Sequence, residues 1–157
     1  YQEYWQHYHR IMERNGVTPA NAKAIVRSRS SVIGALMVER GEADAMISGI
    51  VGRFPRKLQY AQEVVGLEPG VDKPAAMSAI TCDAGTFFFL DTYVSHDPTA
   101  EQLAKATQMA VERLRVFGIK PKVALLSHSN FGSDWSPSSR KMQKVLALLR
   151  DQSPDLE

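Results

Sequence analysis

The chain has 157 residues, 44% hydrophobic and 23% charged, a balance that fits one globular domain or most of one and excludes a disordered or collagen-like polymer. Nineteen Lys and Arg against 17 Asp and Glu leave a net charge of +2, so no broad basic field is available to hold a nucleic acid or an anionic membrane. A single cysteine, Cys82, excludes an internal disulfide framework and a multi-cysteine zinc site. No apolar run reaches the roughly 18 residues of a membrane helix, and no signal peptide opens the chain, so the sequence reads as soluble and cytoplasmic.

Residues 2 to 14 place Tyr4, Trp5, Tyr8, Ile11 and Met12 near helical spacing, and Asn15-Gly16 stops the run. Thr18-Pro19 then supplies a cap and a first-turn proline for a short helix to about Val26. A third helix begins near Ser30 or Ser31, buries Val32, Ile33, Ala35, Leu36 and Met37, and closes at Gly41. Ala43 to Val51 is a nearly uncharged run of small and β-branched residues, which predicts a strand buried on both faces. Pro55 starts a helix through Val65 that Gly66 ends.

Pro74 to Thr81 and Thr86 to Val94 are strand candidates joined by Asp83-Ala84-Gly85, most simply an antiparallel hairpin, which makes the sheet mixed. Asp97-Pro98 caps a long helix carrying Leu103, Ala106, Ala110, Leu114 and Phe117. Lys122 to Leu126 reads as a buried strand, and Ser136-Pro137 caps the last helix. Helices alternating with apolar strands predict an α/β sandwich. Tyr1 opens directly on a helix body and Glu157 stands where a new strand could begin, so the chain reads as a fragment truncated at both ends.

Ligands in α/β folds gather at loops that leave strand ends and enter helices. Two loops fit. The first, residues 48 to 57, combines Ser48, Gly49 and Gly52 with Arg53, Arg56 and Lys57 at a helix start, a composition that suits phosphate. A solvated basic turn explains the same residues. The second, residues 127 to 134, offers Ser127, Ser129, Asn130 and Ser133 ahead of a helix and suits a phosphate or a pantetheine amide. A turn satisfying its own backbone is its plain alternative.

Other groups carry less. Ser127 and His128 are neighbours in an extended segment and point opposite ways, which argues against a nucleophile and its base. Asp91, His96 and Asp97 lack a second histidine at metal-ligand spacing, and no metal site is expected. His7 and His9 fall on different helix faces, and the Phe87 to Phe89 run has no interleaved cation, so it reads as core.

Four stretches carry a family resemblance: 14 to 18 (Arg-Asn-Gly-Val-Thr) with Ala22, 41 to 49 (Gly-Glu-Ala-Asp-Ala-Met-Ile-Ser-Gly), 85 to 88 (Gly-Thr-Phe-Phe), and 121 to 133, which includes Ser-His-Ser-Asn-Phe-Gly-Ser. Together they resemble the phosphate acetyltransferase and phosphate butyryltransferase family over essentially the whole chain. Residues 97 to 103 and the His-Ser-Asn-Phe-Gly-Ser wording look like the branch appended to NADP-dependent hybrid malic enzymes.

The resemblance implies an isocitrate/isopropylmalate-dehydrogenase-like three-layer α/β/α fold with a mixed sheet, of which this fragment is the central part. It implies acetyl-CoA or CoA as ligand, upstream malic-enzyme domains in the same chain, and a homo-oligomer. NADP and a divalent metal, Mg or Mn, belong to those upstream domains, with no cofactor in this segment. The family's catalytic Ser-Arg-Gly stretch lies downstream of Glu157. Aligned on Ser48-Gly49 and Leu58, the family's phosphate-facing arginine falls on Gln59, and a carboxamide lacks a guanidinium's charge and paired donors. The resemblance thus implies an acetyl-CoA-sensing domain without catalytic residues. An active phosphate acetyltransferase, with Arg53 or Arg56 compensating, is the alternative. A ligand-free assembly platform using Tyr4, Trp5 and Tyr8 is a third reading.

Overall fold

A computed structural model describes residues 1 to 130 and 133 to 157. The chain divides into two compact units, Tyr1–Gly70 and Val71–Glu157.

The first unit is helical. Helix α1 spans Gln2–Met12 and runs into a single 3-10 turn, Glu13–Asn15, which Gly16 ends at φ +83°, a left-handed conformation that costs glycine little. Helix α2 spans Pro19–Ser28; the Thr18 hydroxyl accepts from the Asn21 amide at 3.2 Å and proline takes the first turn, as the sequence predicts. Helices α3 (Ser30–Glu39) and α4 (Phe54–Val64) complete the unit. Tyr8, Met12, Ala22, Val26, Val32, Ala35, Leu36 and Val64 form its buried core, with Tyr4, Trp5 and Tyr60 packed around them. Lys23 lies over the Trp5 ring at 4.4 Å and Arg40 over Tyr4 at 5.3 Å, so cations from α2 and the end of α3 cover the aromatic face of α1.

The second unit holds a hairpin of β1 (Met77–Cys82) and β2 (Gly85–Leu90), antiparallel from Met77↔Leu90 to Cys82↔Gly85 around the Asp83-Ala84 turn. Helices α5 (Ala100–Val116) and α6 (Pro137–Gln152) share a core of Ala100, Ala104, Val145 and Leu149. Lys141 pairs with Asp97 and Lys144 with Glu101 across the start of α5. The hydrogen bond from Lys144 draws the Glu101 carboxyl down to about 2.

Five expectations need correction. The Ala43 to Val51 strand does not form: Ile47 and Ile50 are fully exposed (104% and 107%), and Ile50 sits at φ +60°, which takes the chain off any extended path. A doubly buried strand needs a ladder on each side. β1 and β2, the strands among the described residues, pair with each other. Lys122 to Leu126 likewise lacks a ladder: the Val123 amide donates to the Glu157 carbonyl at 2.8 Å, Leu125 packs on the α5–α6 core, and Leu126 stays 73% exposed. The described residues therefore form a two-stranded antiparallel sheet, not a mixed one.

The hairpin strands are also shorter at their outer ends than expected, because Asp91 at φ +52° turns the chain out of β2. Finally, Thr99 rather than Asp97-Pro98 caps α5. Its hydroxyl accepts from the Gln102 amide at 3.2 Å while the Gln102 side chain accepts from the Thr99 amide at 3.1 Å, a reciprocal capping box.

Candidate functional site

The loop joining α3 to α4 is fixed along α3 by two residues one helical turn apart. At Gly34, a Cβ would stand 2.6 Å from Met46 Sδ, so only glycine lets the Met46 side chain lie this close. One turn earlier, Ser31 Oγ and Ser48 Oγ are 3.1 Å apart and share a hydrogen bond. The loop thus runs antiparallel to α3, with Met46 anchored in the apolar core and Ser48 held at the rim.

Its far side is fixed by α4. Lys57 Nζ donates to the Gly49 carbonyl at 2.8 Å, and its stem crosses Gly52, with Cε 3.6 Å from where a Cβ would be. Ser31, Ser48, Gly49 and Lys57 are therefore brought together. Arg53 and Arg56 are exposed, and among the described residues no carboxylate pairs with Arg53, Arg56 or Lys57. That leaves a local positive field at the first turn of α4, where the helix dipole adds to it. Gln59 faces elsewhere: Nε2 donates to Glu63 Oε1 at 2.7 Å, and the Tyr8 phenol donates to Glu63 Oε2 at 3.4 Å. Ser31 and Lys57 thus stand with Ser48 and Gly49, while no contact joins Arg53 or Arg56 to that dipeptide among the described residues. Only the mid-helix glycine at 34 signals the close approach in sequence, because the Ser31–Ser48 pair spans 17 positions.

In the second unit the serine loop largely closes on itself. Ser127 Oγ accepts from the Ser129 amide at 3.1 Å, Ser129 Oγ from the Asp134 amide at 3.0 Å, and the Asn130 carbonyl from the Ser133 amide at 3.1 Å. Those acceptors serve the loop's own backbone, as the plain turn reading expects. Phe131 and Gly132 lie outside the described residues. Ser136 Oγ caps α6 by accepting from Ser139 at 3.3 Å, and a hydrogen bond with Ser136 holds the Asp134 carboxyl below the usual range.

The lesser candidates resolve as structure. Asp97 is held below the ordinary carboxyl range chiefly by its hydrogen bond with Lys141, and Asp91 accepts from the Ser95 amide at 3.3 Å. His7 Nε2 lies 2.6 Å from the Glu39 carboxylate but outside hydrogen-bonding geometry. Among the described residues no three His, Cys, Asp or Glu side chains converge to hold a metal ion, and no helix is long and apolar enough to cross a membrane.

The family model described as phosphate acetyl/butaryl transferase matches residues 1–157. The chain belongs to this family. It is 49% identical over 156 residues to the NADP-dependent malic enzyme of Escherichia coli, covering 99% of this chain and 21% of that protein. It is 47% identical over 157 residues to the NAD-dependent malic enzyme of Rhizobium meliloti, covering all of this chain and 20% of that protein. The phosphotransacetylase structure from Streptococcus pyogenes superposes with a TM-score of 0.84 at 26% identity, over 99% of this chain and 48% of that one. The chain thus spans about a fifth of the length of these malic enzymes and about half of the transacetylase. In the malic-enzyme relatives the matching segment shares its chain with other domains.

Proposed function

We propose that this chain is part of an acetyl-CoA-sensing domain of a malic enzyme, regulating and assembling the enzyme without transferring acyl groups itself. The observation that carries the reading is the Gln59–Glu63 bond at 2.7 Å. Acyl transfer between phosphate and CoA develops negative charge on phosphate oxygens, and a fixed guanidinium stabilises it through paired, permanently charged donors. The Gln59 carboxamide has neither property, and one of its two amide hydrogens is taken by a carboxylate.

A site that keeps anion affinity but loses charge stabilisation at the reacting group binds without turnover. Acetyl-CoA then shifts the parent enzyme between states by binding one better than the other. In this reading Ser48, Gly49, Arg53 and Arg56 of the first unit are ligand-binding residues for the anionic group, and Ser127, Ser129, Asn130 and Ser133 of the second unit are ligand-binding residues with neutral donors, each set taken by itself. Oxidative decarboxylation of malate to pyruvate, with NADP and Mg or Mn, belongs to other domains of the parent. The 47% identity to an NAD-dependent relative leaves either nicotinamide cofactor compatible with this segment.

The complete domain takes the three-layer α/β/α form in this proposal. The exposure of Ile47, Ile50 and Leu126, poor solvent-facing residues in a finished domain, favours further packing partners for this segment. The assay is malate turnover by the full-length protein against acetyl-CoA concentration. A response to acetyl-CoA supports the reading, and indifference removes it.

A further inference from the structure

We propose that Lys57, with Ser31, is the group that holds a phosphate oxygen of the ligand, in a position that neither Gln59 nor the exposed arginines fill. The inference rests on the ligand-binding reading of the α3–α4 loop and names the atoms that would carry it. Ser31 Oγ and Lys57 Nζ come from two helices and reach adjacent residues, Ser48 and Gly49.

Lys57 is engaged before any ligand arrives. Its ammonium already donates to the Gly49 carbonyl, with Cε passing 3.6 Å from where a Cβ would stand at Gly52, so part of its side-chain freedom is spent before binding, whereas each freely moving side chain that is immobilised costs about 0.5–1.5 kcal/mol. An ammonium has three donors, and the Gly49 carbonyl takes one. Two remain to face outward. The Ser31–Ser48 pair has two hydroxyl protons, of which the shared bond uses one, leaving the second to donate to a ligand. Donors of both kinds therefore stand at one dipeptide, without a competing carboxylate among the described residues, and the first turn of α4 adds its dipole.

Lys57 also differs from the arginine expected at position 59 in kind. A compact ammonium is a point charge that anchors a phosphate, while a planar fork follows the changing geometry of a transferring group. Two residues along a helix is about 200° of rotation, so Lys57 and Gln59 serve different sides of α4. The loop has kept an anchor where it lacks the stabiliser.

The test uses the full-length protein, Lys57→Met, which keeps the stem over Gly52 and removes the charge, Lys57→Arg and Ser31→Ala. The probes are inorganic phosphate, followed by phosphorus NMR line width, and CoA and pantetheine, followed by calorimetry. Wild type broadens the phosphate line; Lys57→Met abolishes the broadening and weakens CoA at least tenfold; Lys57→Arg retains both; and Ser31→Ala loses threefold or more. Pantetheine, which has no phosphate, binds wild type and Lys57→Met equally. CoA binding that is strong and unchanged in Lys57→Met overturns this inference and leaves the ligand reading intact. A wild-type protein that leaves the phosphate line sharp and binds CoA no better than pantetheine overturns it too. If the variant differs from wild type only through misfolding, pantetheine binding falls as well, and the assignment to Lys57 is withdrawn.

Discussion

The Gln59 carboxamide donates to the Glu63 carboxylate one turn along α4, and Glu63 also accepts from the buried Tyr8 phenol. A side chain at 59 is therefore drawn along the helix surface by its i+4 neighbour. An arginine placed there meets the same carboxylate and pairs with it, an interaction of about 0.2–0.5 kcal/mol. Gln59→Arg is expected to leave stability within that range and to leave acetyl-CoA formation from acetyl phosphate and CoA at background. Turnover appearing in Gln59→Arg alone contradicts the idea that Glu63 commits this position.

Tyr8 is 1% exposed, and burial, with the Glu63 charge behind it, pushes its phenol up to about 12. The folded state disfavours the phenolate, so the stability Tyr8 contributes is fully present below the unfolded value of about 10 and is lost as the pH rises from there through 12. Urea unfolding between pH 9 and 12 measures the slope, and Tyr8→Phe is expected to flatten it. An equal slope in the variant contradicts the assignment.

A Cβ at Gly34 would stand 2.6 Å from Met46 Sδ, so any side chain there requires Met46 to move. Gly34→Leu is expected to displace Met46 from the core around Leu36 and Val32, costing about 1–3 kcal/mol as overpacking does, and to loosen the Ser48–Gly49 turn. Denaturant midpoints read the first effect. Greater protease sensitivity at residues 46 to 52 reads the second, and a loop as resistant as wild type argues against the α3 anchor.

Thr99→Ala removes the cap of α5 and is expected to cost about 1 kcal/mol. Asp97→Ala removes only an exposed pair with Lys141, so its effect should be smaller and should vanish in high salt. Thermal melts of the two variants decide which residue caps the helix. A larger loss for Asp97→Ala reverses the assignment.

Helix boundaries were legible where local chemistry sets them: Thr18-Pro19, Gly16 and Ser136-Pro137 act within a turn of themselves, and all three behave as expected. The Asp83-Ala84 turn and its flanking strands were legible for the same reason. Strands are not legible where composition stands in for pairing. Ala43 to Val51 and Lys122 to Leu126 have the residues of buried strands, but a strand exists only with a ladder, and a ladder is a property of the neighbours. Within the site, Ser48 and Gly49 were visible as a Ser-Gly turn. Ser31 was not, because nothing local links it to a residue 17 positions away. In sequence Lys57 is one cation of three, and only its bond to the Gly49 carbonyl sets it apart.

The most direct measurement of the central claim combines two readings on one preparation of the full-length protein: acetyl-CoA titrated by calorimetry, and acetyl-CoA formed from acetyl phosphate and CoA. Saturable heat with a change in malate turnover, and no acyl transfer above background, is the predicted result. Rapid acyl transfer, or no heat at all, contradicts it.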